Sequence, residues 1–299
     1  MLLLILTGYE LVGLFFFSLF VGAGILLIFL DFNLEALQSF QSDPSSHSGG
    51  RTALLLVQGA STLGAFILAP WAFIRFNLGK RLRSFFNLTS INGFLLVLMI
   101  TFSFMIVNSV VIEWNQHWDF PGFMSGFEDW ARAQEDRLAE LTTFLTQFDS
   151  PAQFALALLV IALLPGIGEE LLFRGLVQNL FHKTTGNAHL AIWISAFIFG
   201  AIHMQFYGLV PRMLLGALFG YLYWYSGRLI LAMFAHFVNN AISLILAYAY
   251  HQGAFETNPN STESVPQWPI IVTFLVVGVF LFVLFKKYYS KNGNLARRI

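Results

Sequence analysis

The stretch Pro165-Gly166-Ile167-Gly168-Glu169-Glu170-Leu171-Leu172-Phe173-Arg174-Gly175 sets two adjacent carboxylates in the middle of an apolar run. At membrane depth each carboxylate costs roughly 2.5–3.5 kcal/mol even on the lenient insertion scale, so an ionisable residue there is a functional-site candidate by default. An arginine follows one helical turn after Glu170. On a helix Glu170 and Arg174 are i,i+4 neighbours, and the pairing keeps a carboxylate ionised in an apolar medium. Glu169 is turned about 100° away on the helical wheel and is free to face something else. The two acids therefore divide into one structural group and one chemical group.

The rest of the chain makes the apolar setting a membrane. Of 299 residues, 57% are hydrophobic and only 11% charged, against about 25% charged in soluble domains. The composition reads as an all-α polytopic membrane protein. A net charge of zero argues against nucleic acid as a partner, because that surface is basic. There is no cysteine, which excludes disulfides, thiolate metal sites and cysteine catalysis. The first apolar stretch, about 11–30, is too long for a signal peptide and reads as a retained span.

With roughly 20 apolar residues per crossing, about eight transmembrane helices are predicted, near 8–30, 53–74, 88–112, 153–181, 189–206, 208–225, 229–250 and 268–285. Arg75, Lys80, Arg81, Arg83, Lys183, Arg228 and the tail residues Lys286, Lys287, Lys291, Arg297 and Arg298 fall on one side. Arg51, Arg132 and Arg137 fall on the other. The positive-inside rule then places both termini in the cytoplasm. The tail fits topology determination and contact with anionic lipids. The organisation divides into residues 1–150, a three-span region with an outer amphipathic helix; 151–250, a four-span catalytic core; and 251–299, an outer loop, the last span and a basic cytoplasmic tail. The amphipathic stretch Phe127–Leu145 reads as an interfacial helix with Trp130, Leu138, Leu141 and Leu145 on one face, or as a substrate lid. Loops 31–52 and 251–267 read as solvated connections, and Gly216 and Gly220 as a helix-packing pair.

Two further polar groups lie in the spans: Phe199-x-x-x-His203, and His236-x-x-x-Asn240 with its i,i+4 pair on one face. At ~1.5 Å per residue, Glu169 and His203 come out roughly 20 Å from the inner surface, Asn240 roughly 16 Å and His236 roughly 10 Å. Those depths allow all of them to meet in one cavity inside the membrane. Elsewhere, Arg212 either snorkels to the outer interface or meets a substrate carboxylate. Glu10 reads as an incidental residue near the inner interface, and His182 and His189 as solvated flanks of a cytoplasmic turn.

The three motifs Glu169-Glu170-x-x-x-Arg174, Phe199-x-x-x-His203 and His236-x-x-x-Asn240 resemble, in order, separation and placement on successive helices, the signature of the CPBP intramembrane protease family. That family contains the type II CaaX prenyl endopeptidases, the Ras-converting endopeptidase among them, and bacterial bacteriocin-processing and immunity relatives. The resemblance covers about residues 151–250. It implies an eight-helix core with an intramembrane catalytic cavity open toward the cytoplasm. Glu169 and His203 would activate a water molecule, His236 and Asn240 would stabilise the oxyanion, and Glu170 with Arg174 would position Glu169. A carboxylate assisted by an imidazole suits water activation, and an imidazole N–H with an amide supplies two oxyanion donors.

Zinc stays open at this point. The chain has no His-Glu-x-x-His helix, yet Glu169, His203 and His236 make a formal two-His, one-carboxylate set. Asn240 beside His236 suits oxyanion binding better, so no cofactor is required on the favoured reading. The expected partners are a peptide or membrane-protein substrate and the lipid bilayer, in a bacterial cytoplasmic membrane. Two other functions use the same residues: a non-catalytic membrane partner of immunity or scaffold type, and an ion-coupled transporter. Against the transporter stands the absence of an internal half-repeat.

Overall fold

The computed structural model describes residues 1–86, 89–148, 150–256, 258 and 265–291. Among these residues the fold is entirely helical. Numbered in chain order, the α-helical segments are α1 Leu2–Phe29, α2 Leu34–Ser42, α3 Gly50–Phe76, α4 Ile91–Gln116, α5 Ser125–Thr146, α6 Pro151–Thr185, α7 Ala188–Ala201, α8 Leu209–Ser226, α9 Leu229–His251 and α10 Trp268–Lys291. Six of them (α1, α3, α4, α6, α9 and α10) are long and apolar enough to cross a membrane. The predicted fifth span is the shorter α7. Its 14 residues reach about 21 Å at ~1.5 Å each, against a hydrocarbon core of ~30 Å. The predicted sixth is α8, of 18 residues.

Local chemistry places the breaks. Asn187 Oδ1 accepts from the Leu190 amide at 3.1 Å and caps α7, as an N-terminal Asn does. Gly186 and Gly227, at φ 67° and 64°, end α6 and α8 in the left-handed conformation that glycine adopts without strain. These turns let α6, α7, α8 and α9 follow one another with almost no linker.

Burial ranks the helices. In the most apolar windows of α6 and α9, 61% and 50% of residues are buried, against 6% for α1 and 17% for α10. Two helices are thus central and two peripheral. Leu229 and Met233 of α9 join a core with α1, α3, α6 and α7. Leu231, Ala232 and Ala235 join a second with α4, α8 and α10. Ala241 and Leu244 join a third with α3 and α6.

Close approach to α6 depends on its glycines. A Cβ on Gly166 would sit 3.1 Å from the Phe237 amide nitrogen of α9, and one on Gly168 would sit 2.7 Å from Phe66 Cβ of α3. Residues two apart face opposite sides of a helix, so the Gly-x-Gly pair lets α6 be gripped from both sides just before the two glutamates.

Several expectations change. Loop 31–52 contains α2, capped by Asn33 Oδ1 on the amides of Glu35 and Ala36 and anchored by buried Phe40. Only Leu138 and Leu145 of the expected apolar face on α5 turn inward; Trp130 and Leu141 are exposed, while Glu128 and Glu135 lie on the packed side. Both carboxylate oxygens of Glu10, within α1, are buried and unpartnered. Arg212 does not snorkel: Nη2 donates to Gln205 and Nη1 is buried. His182 packs edge-on against Trp224, 4.9 Å between ring centres, and exposed His189 meets the Tyr221 hydroxyl at 2.9 Å. The tail residues Arg297 and Arg298, and the side chain of Lys291, lie outside the described residues.

Candidate active site

Helix α6 is widened twice into π turns, at Leu158–Leu163 and Leu171–Val177, and the segment Leu164–Glu170 lies between them. Such turns disturb the backbone hydrogen-bond ladder and recur at functional sites. Pro165 adds to the disturbance. It has no N–H to give the carbonyl four residues back, which is Ile161 O. Asn240 Nδ2 of α9 donates to that carbonyl instead, at 3.0 Å. Asn240 Oδ1 in turn accepts from Asn239 Nδ2 at 3.1 Å. One amide hydrogen of Asn240 remains for other use. Past the second π turn, Asn179 Nδ2 donates to the carbonyls of Arg174 and Gly175 at 2.7 and 3.0 Å.

Glu170 and Arg174 are both 0% exposed. Arg174 Nη1 donates to Glu170 Oε1 at 2.7 Å, and Nη2 donates to the Gly216 carbonyl of α8 at 2.7 Å. Gln178, one turn on, donates to the Gly220 carbonyl at 3.3 Å. The i,i+4 pair Arg174 and Gln178 therefore matches the i,i+4 pair Gly216 and Gly220. Those glycines do more than pack helices: they bare backbone carbonyls to two buried polar side chains. Phe199, Phe219 and Phe173 surround the guanidinium, with ring centres 4.7, 5.4 and 5.9 Å away, in the geometry of cation–π attraction.

Glu170 Oε1 also takes a hydrogen bond from His236 Nδ1, at 2.9 Å. A carboxylate only accepts, so Nδ1 carries the hydrogen and Nε2 is the ring's remaining nitrogen. The ring stacks on Phe219 at 5.2 Å and meets Phe199 edge-on at 5.8 Å. His236 is therefore level with Glu170, deeper than residue counting along α9 suggests, because counting takes every helix as upright and ending at the same plane.

Glu169 differs from its neighbour, whose Oε2 is likewise unpartnered but whose Oε1 is held twice. It is half-buried, and its Oε2 is buried with no hydrogen-bond partner among the described residues. His203 lies in the turn after α7 rather than on the helix, which ends at Ala201. Its Nδ1 donates to the Phe199 carbonyl at 2.7 Å, which leaves Nε2 with a free lone pair in the neutral ring. Phe199 thus touches His203, His236 and Arg174 at once, with the His203 ring 5.3 Å away. Arg174, His203 and His236 come together around it, and Glu170 joins them through Arg174 and His236; Asn240 is tied to α6 one turn further along α9.

The arrangement holds a paired carboxylate, an unpaired one, and two imidazoles each fixed through Nδ1. Among the described residues, however, no three of its acids and histidines converge closely enough to hold a metal ion. As arranged, Glu169, His203 and His236 do not converge as a ligand set. An apolar cavity of about 250 Å³, lined by residues such as Trp118, Phe197, Phe206 and Met213, touches none of Glu169, His203, His236 or Asn240.

Residues 151–242, which carry this whole cluster, match the family described as type II CAAX prenyl endopeptidase, Rce1-like. This segment is an Rce1-like domain. Its first residue is the first residue of α6, and it ends within α9 just past Asn240. The chain is also similar to the uncharacterized protein YpbD of Bacillus subtilis (strain 168), at 28% identity over 89 residues. That match covers 28% of this chain and 42% of the relative, so the similarity is confined to part of each protein. No solved structure matches the chain. Helices α1 to α5 and α10 lie outside the Rce1-like domain, yet α3 and α5 pack directly on it.

Sequence reading missed four polar residues that complete the surroundings. Gln178 and Asn179 continue the polar face of Arg174, at a spacing that was visible in the sequence. Gln205 and Glu135 are joined at 2.9 Å although 70 residues apart, a contact that no local pattern announces. Outside the spans, Arg132 donates to Glu128 at 2.7 Å and holds that carboxyl below its usual range, while burial pushes Glu135 above it.

Proposed function

We propose that the chain is an intramembrane endopeptidase that hydrolyses a peptide bond by direct attack of water. The observation that carries this is the contrast between adjacent acids: Glu170 is fully buried with its Oε1 held by both Arg174 and His236, while Glu169 is only half-buried and its Oε2 is held by neither. A general base needs that freedom, together with an apolar site that strengthens its electrostatics. Glu169, assisted by His203 Nε2, takes a proton from water. The hydroxide adds to the carbonyl carbon, and the same proton passes to the departing amine as the C–N bond breaks. Asn240, through its remaining amide hydrogen, and His236, through Nε2–H of its imidazolium form, donate to the oxyanion. Glu170 holds His236 directly, Arg174 fixes Glu170, and both position Glu169 through the shared helix.

The same proposal takes α7 and α8 as re-entrant or short spans that complete an eight-helix bundle. Its reaction cavity opens to the cytoplasm, both termini are cytoplasmic, and no metal takes part. The substrate is a peptide or membrane-protein segment. The test is cleavage of a quenched-fluorescent peptide library by detergent-purified protein, wild type beside Glu169→Gln, with and without a zinc chelator. Activity lost in Glu169→Gln and kept in chelator supports the proposal. Loss in chelator replaces it by a metal mechanism, and an active Glu169→Gln overturns the base assignment.

A further inference from the structure

His203 lies beyond the end of its helix, held to it through the Nδ1 bond to the Phe199 carbonyl. Helix α7 ends at Ala201, and the turn beyond passes through Met204 at φ 54°. A non-glycine residue in the left-handed region is sterically disfavoured and persists only where its surroundings impose it. Here α5 and α8 impose it. Gln205, two residues after His203, donates from Nε2 to Glu135 Oε1 of α5 at 2.9 Å, and its Oε1 accepts from Arg212 Nη2 of α8. An amide can donate and accept at once, so one side chain links an acid on one helix to a cation on another. Gly208 makes the link possible, because a Cβ there would collide with the Arg212 guanidinium. A second tie lies alongside: the Tyr207 hydroxyl donates to Glu128 at 3.3 Å, beneath the Arg132 guanidinium, which lies 4.5 Å from its ring.

We infer that Glu135, Gln205 and Arg212 are positioning residues for His203, so that α5 acts as a strap that keeps the imidazole aligned for reaction. This rests on the proposed role of His203 in activating water. Helix α5 is then neither a passive interfacial helix nor a gate; its docking is part of the site.

The test uses the full chain in detergent, comparing wild type with Glu135→Ala, Gln205→Ala, Arg212→Ala and Arg212→Lys. Amide exchange and peptide-pool kinetics are measured on each. Residues 202–208 should exchange about tenfold faster in Glu135→Ala and Gln205→Ala while the middle of α9 is unchanged. Gln205→Ala should lower kcat about tenfold or more with KM within about threefold, and Arg212→Lys should recover part of what Arg212→Ala loses. In the Gln205→Ala background, Glu135→Ala should add nothing, since the bridge is already gone. Unchanged exchange at 202–208 overturns the inference, and so does faster exchange with wild-type kcat. If Gln205→Ala fails to fold, Glu135→Ala, on a helix outside the spans, carries the same two readouts. An active Glu169→Gln would be the separate failure of the proposed function.

Discussion

Glu170 and His236, 66 residues apart in the chain, are joined by a 2.9 Å hydrogen bond that shares its acceptor oxygen with Arg174. The bond ties the middle of α6 to the middle of α9, the two most buried spans. Because that oxygen is already held twice, the chemistry is left to the acid beside it.

Removing the cation should be costly. Arg174→Ala leaves Glu170 buried opposite an imidazole alone, and losing one partner of a buried pair costs about 3–5 kcal/mol. Arg174→Lys should recover little, because one ammonium cannot reproduce the fork that spans Glu170 and the Gly216 carbonyl. Thermal unfolding in detergent reads both. An Arg174→Ala protein as stable as wild type would mean the cluster contributes nothing to folding.

Asn240 and Pro165 should be coupled. Asn240→Ala strands the Ile161 carbonyl and should cost about 1 kcal/mol, near the upper part of the range for hydrogen bonds between membrane helices. In a Pro165→Ala background an N–H becomes available to that carbonyl, so the same substitution should cost less. Additive losses in the four-protein cycle would show that the two residues act independently.

Gly168→Ala should destabilise by about 1–3 kcal/mol, since the new methyl group meets Phe66 at 2.7 Å inside a packed core. Gly8→Ala, with nothing within 4 Å, should be neutral or stabilising by up to about 1 kcal/mol. Paired melting curves distinguish a specific close approach from a general intolerance of alanine.

Glu10→Gln should leave stability unchanged or raise it. Both oxygens of Glu10 are buried without a partner, and an unpaired buried carboxyl stabilises nothing. A marked loss of stability or of peptide cleavage would instead give Glu10 a role.

The docking of α5 should weaken at both ends of the pH scale, from two different groups. The Arg132 hydrogen bond lowers Glu128, so what Glu128 contributes is present above the ordinary carboxylate value of 4.5 and is lost as pH falls below it. Burial raises Glu135, so its contribution is present at low pH and is lost as pH rises past 4.5 toward its folded value. Amide exchange along α5 should therefore lose its acid-side rise in Glu128→Gln and its alkaline-side rise in Glu135→Gln. Profiles unchanged by either substitution would separate α5 docking from these carboxyls.

The helical, membrane-embedded class and the three polar motifs are legible in the sequence by itself. Twenty-residue apolar runs have one stable form in lipid, and a charge within such a run marks itself by its cost. The split between Glu169 and Glu170 was legible too, because helical spacing fixes which acid can reach Arg174. The partners of those groups were decided only by the tertiary structure. That Glu170 holds His236, that Asn240 replaces the hydrogen bond Pro165 cannot make, and that Gln205 joins α5 to α8 all depend on how tilted helices meet. Helical periodicity determines the direction of a side chain about its own axis, whereas contact across helices depends on tilt, π-turn offsets and glycine approaches, which residue spacing along one helix does not encode.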